Sequence, residues 1–287
     1  FYIFDLPLRT WPRFLRRRPV SDQVSEETHQ IHCEEISFFG TGRSIILNKV
    51  SFQAESGQVL GIIGPNGSGK SSLLRCLAGL KRPDLGRIMV DEIDVSSLAL
   101  HERAKKISYL PAKPYMAWPI SVIEAVSLGR YPHSRGFKSH KDEAHELIMS
   151  QLTALGLDHL RERSVNTLSS GEQMRVHLSR LFVTNANIIL ADEPNSNLDP
   201  KYQLQTMSAL RASASRGAIV FIVLHDLALA ANFCDELYLL NKGELVQAKK
   251  NELLENPKYF EEVFELERDR DSQWNIPWKI QGYRHAK

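Results

Sequence analysis

The chain has 287 residues, of which 43% are apolar and 24% are charged, and its formal net charge is +2. These values predict a folded chain with a substantial core. They argue against wholesale disorder and against a nucleic-acid-binding surface spread over the whole molecule. The three cysteines form no CxxC pair, which argues against a disulfide framework or a zinc site and fits a reducing compartment. No apolar run approaches the roughly 18 residues that a membrane-spanning helix needs.

The first 30 residues differ in composition from the rest of the chain. They hold prolines and a basic cluster and then turn polar. Two interpretations stay open: a flexible extension or tag remnant, or a segment that rests on a partner or on anionic lipid headgroups, which attract basic clusters. Because the chain begins with Phe1, a leader upstream of it also stays open. The basic cluster consists of Arg9, Arg13, Arg16, Arg17 and Arg18.

From residue 31 onwards, apolar runs of strand length alternate with segments of helical spacing. This alternation predicts an α/β layered fold with a largely parallel central sheet. The chain has no internal repeat, which indicates one domain of this kind and not a tandem pair. The predicted strand runs are 31–39, 44–64 with a turn at Gly57, 86–95, 186–194 and 217–226, followed by a closing hairpin at 236–250. The predicted helices are 70–80, 120–133 ending near Gly129, 140–157, 174–183 and 251–267.

Residues 64–72, GPNGSGKSS, follow the apolar run VLGII and precede a helical pattern. They match the phosphate-binding sequence G-x-x-x-x-G-K-[ST] at Gly64, Gly69, Lys70 and Ser71. Glycines let the backbone wrap tightly, so that its N–H groups point toward a triphosphate, and the following helix adds its positive N-terminal end. Lys70 supplies a mobile positive charge for the β and γ phosphates, and Ser71 offers a hydroxyl to Mg²⁺.

Later segments carry further candidate residues. The strand run NIILADEP ends in two acids: Asp192 can hold the Mg²⁺ shell, and Glu193 can polarise the attacking water as general base. The stretch LSSGEQ at 168–173 begins a helix and predicts a second anion-binding site, although its residues also fit ordinary capping. VLHD places His225 after another buried strand, where a histidine is often structural. NSNLDP at 195–200 also fits an Asx-type turn.

In this order, GPNGSGKSS, LSSGEQ, IILADE, SNLD and LHD resemble the ATP-binding subunits of ABC (ATP-binding cassette) transporters. The resemblance covers about residues 31–265, leaving 266–287 as a C-terminal tail. It implies a P-loop NTPase fold with a RecA-like core, a mostly parallel sheet, an antiparallel β region and an inserted helical subdomain at roughly 112–178. It also implies that the chain is an ATPase with ATP and Mg²⁺ as cofactors.

The resemblance further implies a head-to-tail homodimer with two ATP molecules at its interface. Ser169 and Gly171 of one copy would contact the γ-phosphate held by the phosphate loop of the other. Glu193 would be the general base, His225 would sense the γ-phosphate, and Asp199 would communicate between the sites. Adenine would stack on an aromatic residue, Phe39 or alternatively Phe38. The implied nucleotide-binding residues are Phe39, Gly64, Asn66, Gly67, Ser68, Gly69, Lys70, Ser71, Ser72, Ser169, Gly171 and Asp199, and the implied magnesium ligands are Ser71 and Asp192.

Three positions depart from the family pattern. The family has a glutamine, which touches Mg²⁺ and the water, at a strand end before the LSSGEQ stretch; alignment on YLP puts Ala112 there. Alanine can neither ligate a metal ion nor orient water. Three explanations stay open: a neighbour such as Lys113 substitutes imperfectly, hydrolysis is slow, or the alignment is shifted. In LSSGEQ, Ser170 replaces a glycine and Glu172 a glutamine. Because position 172 faces the phosphates less directly, we expect a small effect.

The segment WPISVIEAVSLGRYPH resembles the coupling region of ATP subunits that serve importers of iron–siderophore complexes, haem and cobalamin. Its pattern also fits an amphipathic helix that only packs against the core. The resemblance implies import of such a metal chelate through separate membrane permease subunits, with a periplasmic or surface binding protein involved indirectly. It implies a peripheral location at the cytoplasmic face of the inner or plasma membrane.

Other functions stay open at this point. The chain could be an ABC ATPase with another cargo or an exporter. A DNA clamp of the same superfamily is disfavoured by the near-neutral charge and by the lack of long heptad repeats, so no nucleic-acid partner is expected. A nucleotide-gated scaffold without catalysis is suggested by Ala112, but Glu193 and His225 argue against it.

Overall fold

The computed structural model describes residues 28–133, 141–249, 263, 266–268 and 278–280. The described residues form twelve strands and seven α-helices. The strands are Gln30–Phe39 (β1), Ile45–Glu55 (β2), Val59–Ile63 (β3), Leu85–Val90 (β4), Ile93–Asp94 (β5), Ile107–Leu110 (β6), Ile188–Asp192 (β7), Ile219–Val223 (β8), Glu236–Asn241 (β9), Glu244–Lys249 (β10), Leu266–Arg268 (β11) and Trp278–Ile280 (β12). The helices are Lys70–Leu77 (α1), Leu100–Lys106 (α2), Val122–Ser127 (α3), Lys141–Ala154 (α4), Ser170–Val183 (α5), Pro200–Ser215 (α6) and Leu227–Phe233 (α7).

The central sheet has six strands in the order β10-β9-β3-β8-β7-β6. All neighbours are parallel except β9 and β10, which form the antiparallel hairpin predicted at 236–250. Strands β3, β7 and β8 are buried at every residue, because hydrophobic clusters cover both faces of the sheet. The predicted α/β fold with a mostly parallel core sheet is therefore confirmed.

A second sheet is antiparallel, with the strand order β2-β1-β4-β5, and it confirms the predicted antiparallel region. The turn at Gly57, with φ of 92°, connects β2 to β3 as expected. The strand predicted at 86–95 is divided into β4 and β5. Asp91 and Glu92 form the turn between them, with φ of 49° and 65°.

Three aromatic side chains join the two sheets. The ring centroid of Phe52 on β2 lies 5.5 Å from that of Phe221 on β8 and 5.2 Å from that of Tyr238 on β9. All three residues are buried, and the rings are tilted by 57° and 52°, as aromatic pairs prefer. This contact fixes the antiparallel sheet on the central one.

The helix predicted at 120–133 is shorter than its spacing indicates. Helix α3 ends at Ser127, and Leu128–His133 forms a 3-10 segment that continues through the glycine expected to end the helix. Side chains of Arg130 and His133 bond two backbone carbonyls at the end of α5, at 2.9 and 2.8 Å. These long-range contacts, together with the proline inside the segment, favour the tighter turn.

Two sequence predictions concern the ends of the chain. The basic cluster of the first 30 residues lies outside the described residues, and β1 begins at Gln30, one residue earlier than the pattern indicates. Most of the helix predicted at 251–267 also lies outside them, but its last two residues belong to β11, which pairs with β12. Among the described helices, none is both long and apolar enough to cross a membrane.

Replacing Phe52 with alanine tests the junction between the sheets. We expect the free energy of unfolding to fall by about 3–5 kcal/mol, because a buried ring is lost and a cavity remains. Chemical denaturation followed by circular dichroism measures the change. Ile45→Ala on the same strand is the control, since Ile45 is 57% exposed, and it should cost less than about 0.5 kcal/mol. Equal losses in the two variants would contradict the assignment.

Candidate functional site

Strand register brings most of the predicted site residues to one edge of the central sheet. Val223 of β8 pairs with Ile62 of β3 on one side and with Asp192 of β7 on the other, and all three strands are parallel. The carboxyl ends of parallel strands meet at one edge, where open α/β sheets bind ligands. The phosphate loop follows β3, Glu193 follows β7 and His225 follows β8, so the fold gathers them there.

The phosphate loop requires glycine for two reasons. Gly64, Gly67 and Gly69 have φ of 148°, 80° and 106°, which other residues rarely adopt. A Cβ on Gly64 would lie 2.0 Å from the Leu240 carbonyl oxygen, and one on Gly69 would lie 2.6 Å from the Ile46 carbonyl oxygen. Gly67 faces open space, so its side of the loop is accessible to a ligand.

Lys70 begins α1 and binds its own loop. Its Nζ atom donates to the carbonyl oxygens of Gly64, at 2.9 Å, and Pro65, at 2.8 Å. Burial lowers the pKa of Lys70, and the nearby charges of Glu193 and Asp192 act in the opposite direction. The ammonium group therefore lies close to both acids, at the point where the loop would hold a triphosphate.

Asp192, at the tip of β7, is fully buried. Neither of its carboxylate oxygens accepts a well-formed hydrogen bond, although the Ser71 hydroxyl is close enough to lower its pKa. Burial, and then the charge of Glu193, raises the pKa of Asp192 above its ordinary value. An orphaned carboxylate beside a hydroxyl fits Mg²⁺, which prefers oxygen ligands and completes its shell with phosphate and water. The described residues contain no cluster of three acidic, histidine or cysteine side chains that could hold a metal ion alone.

Glu193 and His225 form a pair at the same edge. The Oε1 atom of Glu193 lies 2.9 Å from Nε2 of His225, and the two side chains are 34% and 49% exposed. Glu193 has φ of 52°, a conformation that costs energy in a residue with a side chain and turns the chain sharply after the buried strand. Both residues line a cavity of about 190 Å³. A partly exposed carboxylate in such a cavity can accept a proton from water.

Asn195 lines the same cavity and is absent from the sequence-based candidates. Both polar atoms of its side-chain amide are buried without a hydrogen-bond partner. A buried unpartnered amide is costly unless water or a ligand satisfies it. The sequence signal for this residue is weak, because an asparagine two residues after the acids also fits an Asx-type turn.

Ser169, Gly171 and Asp199 lie apart from the phosphate loop. Ser169 is the N-cap of α5, where its hydroxyl accepts from the Glu172 backbone N–H, and Asp199 caps α6 in the same way. In the part of the chain that the structure describes, no hydrogen bond or ion pair joins these three residues to residues 64–72. One copy of the chain thus holds two separate groups of candidate residues.

The remaining candidates surround the loop. Phe39 ends β1 and pairs with Ile45 of β2, the strand whose backbone contacts Gly69. It is half-buried and keeps part of its surface accessible beside the loop. Within the loop and the first turn of α1, Asn66 is exposed, Ser72 is half-buried, and Ser68 is buried with its hydroxyl unpartnered.

Ala112 lies at the same edge as the two acids. It follows β6, whose residue Leu110 pairs with Ala191. Ala112 is half-buried and carries no polar side-chain atom, and Lys113 beside it is exposed. This edge of the site therefore lacks a side chain at Ala112 that could orient water.

A parallel sheet with a phosphate loop after one strand and two acids after another defines a P-loop nucleoside triphosphatase. The family model that matches the chain, over residues 47–196, is that of ABC transporters. The chain belongs to this family, as an ATP-binding subunit that hydrolyses ATP.

Similar proteins cover most of the chain. The hemin import ATP-binding protein HmuV of Pseudomonas entomophila is 41% identical over 207 residues, which are 70% of this chain and 80% of the relative. The protein of the same name from Pseudomonas fluorescens is 38% identical over 244 residues, 83% of this chain and 92% of the relative. A solved dimeric ATP-binding cassette, in a post-hydrolysis state with ADP and Pi, has a TM-score of 0.69 and 28% identity and covers 77% of this chain and 98% of its own.

Gly64→Ala should weaken ATP binding by about tenfold or more, the equivalent of ~1.4 kcal/mol, because its methyl group would collide with the Leu240 carbonyl and displace the loop. Titration with a fluorescent ATP analogue measures the affinity. Gly217→Ala is the control: its φ is also positive, at 100°, but nothing lies within 4 Å of the added carbon. The same loss of affinity in both variants would mean that the collision with the Leu240 carbonyl is not its cause.

Proposed function

We propose that the chain powers the import of a metal chelate of the haem class through separate membrane permease subunits. The single observation that carries this proposal is the meeting of Lys70, Asp192, Glu193 and His225 at one sheet edge in a chain closely similar to hemin import subunits. On this proposal the chain works at the cytoplasmic face of the membrane, and a periplasmic or surface binding protein delivers the cargo to the permease.

Each residue has a role in the proposed hydrolysis. The loop amides and Lys70 bind the β and γ phosphates, and Phe39 stacks on adenine. Ser71 and Asp192 hold Mg²⁺, which supplies charge neutralisation for the phosphates when bound. Glu193 accepts a proton from the attacking water, and His225 donates to the γ-phosphate.

A second copy of the chain completes the site in this proposal. Ser169 and Gly171 lie at the start of α5, whose N-terminal amides favour an anion. Among the residues that the structure describes, no hydrogen bond or ion pair joins them to the phosphate loop of their own chain. A head-to-tail homodimer would bring them to the γ-phosphate held by the partner, with Asp199 between the sites. The dimeric relative with ADP and Pi supports this arrangement.

The permease would dock beside the coupling region. A cavity of about 230 Å³ lies between the 3-10 segment Leu128–His133, β6 and α5. Two exposed aromatic side chains lie in the coupling region: Trp118 is 66% exposed, and Tyr131, within the 3-10 segment, is 74% exposed. In this proposal the ATP-binding domain spans 31–265 with its helical subdomain at roughly 112–178, and a short permease segment enters beside that subdomain.

Glu193→Gln tests the mechanism and the dimer together. The variant should bind ATP and accumulate as an ATP-loaded dimer, because the general base is lost while the phosphate contacts remain. Light scattering after gel filtration measures the dimer, and phosphate release should fall by about 100-fold or more. Lys70→Ala is the matched comparison and should neither bind ATP nor form the dimer. Normal phosphate release by Glu193→Gln would show that the base is wrongly assigned.

The cargo is tested with the same variant in cells. Chromosomal Glu193→Gln should abolish growth on haem as the iron source and leave growth on inorganic iron unchanged. Loss of growth on both sources, or on neither, would contradict haem as the cargo while leaving the ATPase mechanism intact.

Ala112→Gln should raise the ATPase turnover of the assembled transporter by a few-fold, since a glutamine at this edge could orient the attacking water. Steady-state phosphate release by the complex with its permease measures the change. Lys81→Gln is the control, because it changes an exposed side chain outside the site. Unchanged turnover in Ala112→Gln would mean that the position does not face the water.

A further inference from the structure

The N-terminus of α5 is occupied by a carboxylate of its own chain. The Oε2 atom of Glu172 accepts from the backbone N–H of Ser169 at 2.8 Å and from the Ser169 hydroxyl at 2.9 Å. The backbone N–H of Glu172 donates back to that hydroxyl at 3.3 Å. This arrangement is a capping box, which stabilises the start of the helix. A hydroxyl has only one proton to donate, and the proton of Ser169 is directed at Glu172.

The proposed dimer would bring a second anion to the same donors. The γ-phosphate of ATP on the other copy would accept from the Ser169 hydroxyl, which cannot donate to two acceptors at once. The Ser169 hydrogen bonds, followed by the charges of Arg175 and Arg163, lower the pKa of Glu172, so its side chain is ionised at neutral pH. Two anions at one helix N-terminus repel each other, and more strongly where an interface excludes water.

We propose that Glu172 sets the ATP concentration at which the dimer closes. Its carboxylate holds the Ser169 hydroxyl in the separate chain and releases it when the γ-phosphate bound to a second copy takes its place. This inference rests on the proposed function, because it requires ATP to be shared between two copies. It differs from the expectation that position 172 has a small effect, because the Glu172 side chain engages Ser169, the residue expected to bind the phosphate.

The chain contains a second capping box that serves as a matched control. At the start of α3, Glu124 Oε2 accepts from the backbone N–H of Ser121 at 2.8 Å and from its hydroxyl at 2.7 Å. The backbone N–H of Glu124 donates back at 3.3 Å, so the geometry matches that at Ser169. No residue of this box belongs to the proposed nucleotide site. Glutamine at the third helical position also completes a capping box. Replacing the glutamate of either box with glutamine therefore removes the negative charge and keeps the cap.

The experiment uses the full chain in the Glu193→Gln background, where ATP is not consumed. Dimer formation is followed by light scattering as ATP is raised, for the background protein and for the same protein with Glu172→Gln or Glu124→Gln. We expect Glu172→Gln to lower the ATP concentration at half-maximal dimer formation by about three- to tenfold, because one of the two competing charges is gone. Glu124→Gln should leave it unchanged. Binding of a fluorescent ATP analogue to the monomer and thermal unfolding should be the same in all three.

Three other results of this experiment would overturn the role proposed for Glu172. If Glu172→Gln needs as much ATP as the background protein, or more, and the background protein dimerises normally, this inference alone is overturned. The Glu172 carboxylate would then have no effect on dimer formation, or would favour it. Equal shifts in Glu172→Gln and Glu124→Gln also overturn it, since the effect would then come from helix capping. If the background protein binds ATP but forms no dimer at any concentration, the shared-nucleotide part of the proposed function fails, and this inference fails with it.

Discussion

The pairing of β8 with both β3 and β7 is the constraint on which the site depends. A shift of one residue in either pairing would move a strand end by about 3.3 Å and turn its side chains to the opposite face. Because these strands are buried on both faces, no amphipathic pattern selects their register. Backbone hydrogen bonds at the two ends of β8 hold it instead: Ile219 donates to the Asn187 carbonyl, and Leu224 donates to the Ile62 carbonyl, directly before His225.

In the proposed function, a metal ion and Lys70 act together on the phosphates at this edge. The carboxylates of Asp192 and Glu193 act on the ammonium of Lys70, and the guanidinium of Arg75 also acts on Asp192, so the opposite charges at this edge roughly balance. Burial raises the pKa of Asp192 and lowers that of Lys70, because desolvation disfavours the charged form of each. A triphosphate adds further negative charge to the same space. The orphaned oxygens of Asp192 beside Ser71 then provide a place for Mg²⁺ to balance it.

Local sequence patterns predict the parts of this molecule whose conformation is set by residues close together in the chain. The phosphate loop, the buried strands and the turn at Gly57 follow from glycine conformations and apolar runs, and the structure has them. The 3-10 segment Leu128–His133 does not follow, because distant carbonyls at the end of α5 shape it. The S-x-x-E pattern of Ser169 and Glu172 is readable as a capping box, and the structure has that cap, but the pattern alone does not tell a cap from an anion-binding site.

The two places where a phosphate is expected to act share one chemical feature. In each, a carboxylate accepts a hydrogen bond from a donor that would bind the γ-phosphate in the proposed function. Glu193 accepts from His225, and Glu172 accepts from Ser169. With Glu193 ionised, its bond to His225 requires the proton on Nε2, so one carboxylate oxygen is already occupied. A phosphate that took this donor would free that oxygen to accept a proton from water. Binding of the γ-phosphate would then also activate Glu193 as a base. Glu193 would be available to accept a proton from water only when ATP is bound and can be hydrolysed.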